Sequence, residues 1–241
     1  MRLSTLFLRR LHKWIGLLLG LQLVIWTVSG AAMALIDMEA VAGGPAPAEA
    51  AAAPPSASAW PRIREALPPG ITRLEVRPLL GRAVVEASDG RATWLFDAAD
   101  GRRLAIDAGA ARRIAEAAYA GTGRARTVAS LDALSLEVRE HALPIWRVDF
   151  DDEAGSSFYV SGATGRLLER RNDSWRLWDF FWMLHNMDYA HRTSFNHPLI
   201  VTVAFGIVWL VATGIFLLFR TAWRPDLNAL GRRLRRVRRP G

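Results

Sequence analysis

Two apolar runs, Ile15 to Ile36 and Pro198 to Phe219, constrain this chain more than any other feature. Each holds 22 residues without a formal charge, and the hydrocarbon core of a bilayer takes about 20 helical residues to cross. Two membrane-spanning helices are therefore expected. Arg2, Arg9, Arg10 and Lys13 precede the first; Arg220, Arg224, Arg232, Arg233, Arg235, Arg236, Arg238 and Arg239 follow the second. With Asp226 the one acid among them, the tails carry about +4 and +7, leaving about −3 of the total +8 for the stretch between. Basic flanks stay on the cytoplasmic side. Both termini are thus expected in the cytoplasm and the middle outside, which for a bacterial inner membrane means the periplasm.

The sequence pI near 11.1 would otherwise invite a nucleic-acid reading. The excess sits in the tails, where attraction to anionic headgroups accounts for it at roughly 1 kcal/mol per residue, so no nucleic-acid partner is expected. The chain has no cysteine, which removes disulfides, thiolate nucleophiles and Cys-ligated zinc or iron–sulfur clusters together. Redox or metal chemistry falls to His, carboxylate or Met. A cleaved signal peptide, with Ala40-Val41-Ala42 at its end, is disfavoured because secretory cores run to about 7–15 apolar residues. Arg9-Arg10 lacks the rest of a twin-arginine signal.

Residues 37–59 are expected as a linker, because Ala42 to Ala59 is almost wholly Ala, Pro, Gly and Ser, with Glu49 its one charge. From Trp60 the chain repeats itself. Residues 94–104, Trp-Leu-Phe-Asp-Ala-Ala-Asp-Gly-Arg-Arg-Leu, align with 158–168, Phe-Tyr-Val-Ser-Gly-Ala-Thr-Gly-Arg-Leu-Leu. Each reads as a strand, a turn closed by Gly101 or Gly165, and a returning strand. An alternating strand lies upstream of each copy, Gly81 to Ala87 and Pro144 to Phe150; in the second, Trp146, Val148 and Phe150 face one way and Arg147, Asp149 and Asp151 the other. Helices at Pro61 to Leu67 and Ala108 to Ala120 open the copies. Trp146 and Phe158 are expected in the core, and Gly101 and Gly165 at positive φ.

The segment Ser157 to Leu168 resembles the closing strand and turn of the PepSY domain, and the first copy, with Asp100 where the pattern has Thr, matches more loosely. Leu11-His12-Lys13-Trp14-Ile15-Gly16 resembles the His-x-Trp-x-Gly opening of PepSY-associated transmembrane proteins. Trp182-Met-Leu-His185 and Thr213-Gly214 resemble their closing segment. The resemblance implies an α+β membrane protein in which two transmembrane helices flank a periplasmic domain of two PepSY-like helix-plus-antiparallel-sheet repeats. The expected order is a tail at 1–14, a span at 15–36, the linker at 37–59, repeats at 60–107 and 108–171, an aromatic interfacial helix and connector at 172–197, a span at 198–219 and a basic tail at 220–241.

Proteins of this layout include carriers of b-type haem on span-edge histidines that reduce ferric chelates in the periplasm. The resemblance carries His12 and His185 over as haem-binding residues; His191, in the connector, is a third candidate for the same cofactor. A neutral imidazole is a usual axial donor to haem iron, and Gly16, Gly20, Gly206 and Gly214 would let a flat ring approach the helix backbone. His12 and His185 fall on opposite faces of a core about 30 Å thick, so they cannot share one iron. A bis-histidine site needs a homodimer or a partner membrane subunit, and Gly16-Leu-Leu-Leu-Gly20 is a pattern that suits helix contact. The family's better-known reductases carry more spans in one chain.

Blander readings stand beside these. A span-edge histidine is commonly an interfacial anchor, as is the aromatic series Trp175, Trp178, Phe181 and Trp182. His197 before Pro198 reads as a helix opening with Asn196 as its cap, and His141 as exposed. Asp149, Asp151, Asp152 and Glu153 lack calcium-loop spacing, so no bare metal site is expected. No phosphate loop, nucleophile elbow or His-Glu-x-x-His motif is present, and no catalytic residue is named. Function thus divides between a haem b electron-transfer or ferric-reduction component, a cofactor-free tethered module that recognises a periplasmic protein or peptide along a sheet edge, and a small assembly subunit of a larger membrane complex.

Overall fold

The computed structural model describes residues 5–44, 53–194 and 196–223. The chain divides into two units, Met1–Met33 with Phe181–Gly241, and Ala34–Phe180. It combines long apolar helices with antiparallel sheet.

In the first unit, α1 (Thr5–Leu35) begins ten residues before the apolar run, because Leu, Phe and Arg continue the helical pattern through the basic segment. Helix α6 (Pro198–Leu218) starts with His197 as N-cap and Pro198 at the first turn, where a missing N–H is no loss; His197, not Asn196, takes the cap position. The last turn passes into a π-helical turn over Phe219–Trp223. Both helices are long and apolar enough to span a bilayer. None of α6 is fully buried, so its apolar surface is left to lipid.

Small residues bring α1 and α6 together. A Cβ on Gly206 would stand 3.0 Å from Leu19 Cδ1, and one on Gly16 would stand 3.4 Å from Leu210 Cδ1. Each leucine fills the gap that a glycine leaves on the other helix. Higher numbers on α1 meet lower numbers on α6, so the pair is antiparallel. Gly20, the second glycine of the helix-contact pattern, faces open space.

The second unit holds two four-stranded antiparallel meanders. The first consists of β1 (Arg73–Leu79), β2 (Arg82–Ser88), β3 (Thr93–Asp97) and β4 (Arg103–Leu104); the second of β5 (Ala125–Ser130), β6 (Ile145–Phe150), β7 (Ser157–Ser161) and β8 (Leu167–Arg171). Helix α3 (Ala59–Ala66) precedes the first sheet and α4 (Ala108–Ala118) the second. Alternation sorts the side chains. Val85, Ala87 and Phe96 pack on Ala59 and Ile63 of α3. Val84 and Leu95, on the opposite face, join Ile114 and Ala115 of α4 and Val148, Phe150, Phe158 and Val160 of the second sheet. Tyr119 stacks on Phe150 at 4.0 Å between ring centres. Truncating the buried Phe158 to alanine should cost about 3–5 kcal/mol.

Phe158 is core as expected, whereas Trp146 is half-buried: it packs against the same core, and its Nε1 donates to the Ile106 carbonyl at 2.8 Å. Gly101 and Gly165 take φ of 74° and 69°, the left-handed turn positions expected. The folded unit reaches beyond 60–171 on both sides. Asp37 caps a short helix, α2 (Met38–Ala42), inside the expected linker; Val41 is buried and Asn172 Nδ2 donates to the Ala40 carbonyl at 2.7 Å. Helix α5 (Asp173–Asn186) opens in this unit with Trp175 buried under the Arg171 guanidinium, 4.0 Å from its ring centre, so this tryptophan is domain core instead of interfacial belt.

Candidate functional site

The notable polar chemistry of the first unit is two imidazoles set against glycines. His12, in the third turn of α1, meets α6 at Thr213-Gly214: its Nδ1 lies 2.8 Å from Thr213 Oγ1, and a Cβ on Gly214 would stand 3.2 Å from its Cε1. His185, near the end of α5, meets α1 at Ser29-Gly30: its Nδ1 lies 3.2 Å from Ser29 Oγ and 3.2 Å from the Trp26 carbonyl, and a Cβ on Gly30 would stand 3.2 Å from its Cε1. Each seat is a hydroxyl followed by a glycine. The glycine admits the ring, and the hydroxyl turns it.

The partners also fix the tautomer. Ser29 Oγ donates to the Ile25 carbonyl at 2.7 Å, and Thr213 Oγ1 donates to the Trp209 carbonyl at 2.9 Å. Their protons are engaged along their own helices, so each hydroxyl accepts from the imidazole. At His185 the Trp26 carbonyl can only accept, which makes Nδ1 the protonated nitrogen. In both rings Nδ1–H therefore donates, and Nε2 has no hydrogen-bond partner among the described residues. That is the arrangement of a metal-ligating histidine whose other nitrogen is held by an outer partner. Ser29 is buried at 1% exposure, so no water competes for the bond there.

The two seats are far apart. Helix α1 is continuous from His12 to Gly30, which at 1.5 Å per residue separates them by about 27 Å. Among the described residues no three His, Cys, Asp or Glu side chains gather as they would around a bare ion. A single imidazole holds a metal well when the remaining donors arrive with it, as the four nitrogens of a porphyrin do.

The other histidines have different surroundings. His191 is exposed, its ring has no hydrogen-bond partner among the described residues, and its backbone N–H donates to Asp188 Oδ1 at 3.1 Å. Asp188 also accepts from the N–H groups of Thr193 and Ser194; although burial opposes the charge, these donors hold its carboxyl well below the usual carboxylate range. His197 Nε2 donates to the Asn186 carbonyl at 2.7 Å. His141, read as exposed, is half-buried and lies 2.8 Å from Glu169. Three carboxylates of the acidic run are engaged locally: Asp149 pairs with Arg147 at 2.7 Å, Asp151 accepts from the Arg124 N–H, and Asp152 accepts from Tyr119 and from the Ser156 N–H at 2.8 Å each.

A family model described as the PepSY-associated TM region matches residues 9–240. The chain belongs to this family. It is accordingly a membrane protein carrying PepSY-type sequence, and the match takes in both histidine seats. No curated protein and no solved structure matched the chain.

Sequence reasoning named His12, His185 and Gly214 but missed Ser29, Gly30 and the carbonyl of Trp26. The signal was available. Ser29-Gly30 and Thr213-Gly214 are the same dipeptide type placed late in each apolar run.

Proposed function

We propose that this protein is a haem b-binding electron-transfer component of the bacterial inner membrane, with His12 and His185 as axial ligands at opposite ends of its helix pair. The observation that carries the reading is the duplicated seat: two span-edge imidazoles, each with Nδ1 pinned by a hydroxyl and Nε2 without a hydrogen-bond partner among the described residues. Haem bound there would supply one-electron chemistry between ferric and ferrous iron. The chain's own part is to hold each ring in one tautomer and one orientation, and to surround the ligand with an apolar, water-poor helical wall. Ferric chelates outside the membrane are the electron acceptors this reading favours.

Each seat offers one imidazole, and the seats lie too far apart to share an iron. The second axial donor then comes from a second copy or from a partner membrane subunit, with His12 facing its counterpart at one end and His185 at the other. His191 has no comparable seat and takes no part in this proposal. The basic flanks support an orientation with both termini in the cytoplasm and the sheet unit in the periplasm. The two meanders, each preceded by a helix, read as a duplicated PepSY-like module.

The test is the absorption spectrum of the purified protein before and after dithionite. A stoichiometric b-type band on reduction is expected; a protein purified from haem-replete cells without such a band would count against the proposal. Alkaline phosphatase fusions test the orientation, with activity expected only for fusions within the sheet unit.

A further inference from the structure

In the sheet unit, a groove of about 870 Å³ runs beside β8. Leu79, Ile114, Ala117, Ala118 and Leu167 give it apolar walls, and Met38 and Val41 of α2 and Trp175 also line it. Four arginines line it, Arg77, Arg166, Arg170 and Arg171, against one glutamate, Glu169. Three of these arginines are already neutralised. Arg77 pairs with Glu86 at 2.8 Å, Arg166 with Glu75 at 2.9 Å, and Arg171 with Glu169 at 2.9 Å. The Arg170 guanidinium makes no ion pair or hydrogen bond among the described residues. It lies opposite Phe158 in the β7–β8 register and so shares the face of the sheet that α4 covers.

Strand β8 is also the last of its sheet. Leu167–Arg171 pair with β7 on one side and make no backbone hydrogen bond on the other among the described residues. All five line the groove, a length of about 17 Å at 3.3 Å per residue. The edge of the first sheet, β1, carries Pro78, a residue that blunts a strand edge. Strand β8 carries no proline.

We infer that the groove binds an extended peptide segment as an added strand on β8, with apolar side chains against α4 and an acidic side chain on Arg170. An unpaired edge supplies backbone donors and acceptors in a row, apolar walls select alternate side chains, and a guanidinium without a counter-ion selects a carboxylate. A simple anion or a lipid headgroup would use Arg170 but not the strand edge. The inference stands on the groove alone and is independent of the histidine seats.

The probe is a fluorescein-labelled octapeptide with threonine at alternate positions and three valines and one glutamate at the others, so that valine and glutamate share one face of the strand, titrated against the full-length protein in nanodiscs and followed by anisotropy. Two versions N-methylated on alternate residues, one in each register, test the backbone pairing, and a version with lysine in place of the glutamate tests the charge. Binding of the valine–glutamate peptide is expected, at least tenfold weaker for Arg170→Glu and for one of the two N-methylated versions, with the other close to the parent. Arg170→Gln, which keeps the side-chain length and removes the charge, should weaken binding in the same direction. Absence of binding, equal binding of the lysine peptide, or full binding of both N-methylated versions would overturn the inference, the last pointing to a site for anions or amphiphiles.

Discussion

The two histidine seats share their chemistry and differ in their support. At His12 a single hydroxyl, Thr213, accepts from Nδ1, and the ring stands among exposed cationic residues, Arg9, Arg10 and Lys13. At His185 a hydroxyl and a carbonyl both accept, and the residues that follow, Asn186, Met187 and Asp188, are all buried. Asp188 there gathers the backbone of the connector, and His197 ties it to the start of α6. One seat is held by one bond and the other by a network. The difference teaches that equal ligand chemistry need not give equal tolerance to damage.

The largest effect should come from filling the glycine positions. In both seats a Cβ would stand 3.2 Å from the imidazole, so Gly214→Leu and Gly30→Leu should each displace their histidine and remove the haem at that end. Pyridine haemochrome assays would measure the loss; full haem content in both variants would show that the glycines do not define the sites. The hydroxyls come next. Thr213→Ala removes the one acceptor of His12 among the described residues and should weaken haem retention about 10–100-fold, the usual cost of losing an outer partner. Ser29→Ala should cost less, because the Trp26 carbonyl still holds Nδ1–H. Equal losses from the two substitutions, measured by haem transfer to an apo-acceptor, would erase the asymmetry.

The smallest effect concerns Asp188. Its pKa is depressed in the folded state, so its contribution is present above the unfolded carboxylate value and is lost as pH falls through the lower folded one. The connector should stay ordered into more acid solution than a free carboxylate would allow. Asp188→Asn should let the amide protons of His191, Thr193 and Ser194 exchange about tenfold faster while leaving the His12 seat untouched. Unchanged exchange would mean that the network does not stiffen the connector.

Much of the fold was legible in the sequence because its signals are local. Charge-free runs of spanning length, period-two alternation in Trp146 to Phe150, and glycines closing tight turns each depend on a few neighbouring residues. What escaped depends on partners distant along the chain. Helix α2 hides in an Ala-rich stretch because its stability comes from burying Val41 and receiving Asn172, 132 residues away from the carbonyl it bonds. Trp175 reads as an interfacial ring until Arg171 is seen to lie on it. His12 and His185 could be named from short motifs, but the hydroxyls that orient them lie 201 and 156 residues away, and only the helix packing brings those groups together. The unpaired arginine of the groove is likewise invisible in a chain with so many arginines, since pairing is a property of the fold.

The central claim, that each seat ligates haem, is tested most directly by haem content in the single and double variants His12→Ala and His185→Ala. Each variant is purified in detergent as the intact protein and quantified from its reduced b-type band. The account predicts that each single variant loses about half of the haem and the double variant all of it, with the sheet unit's circular dichroism unchanged. A double variant that keeps the haem of the parent would contradict it.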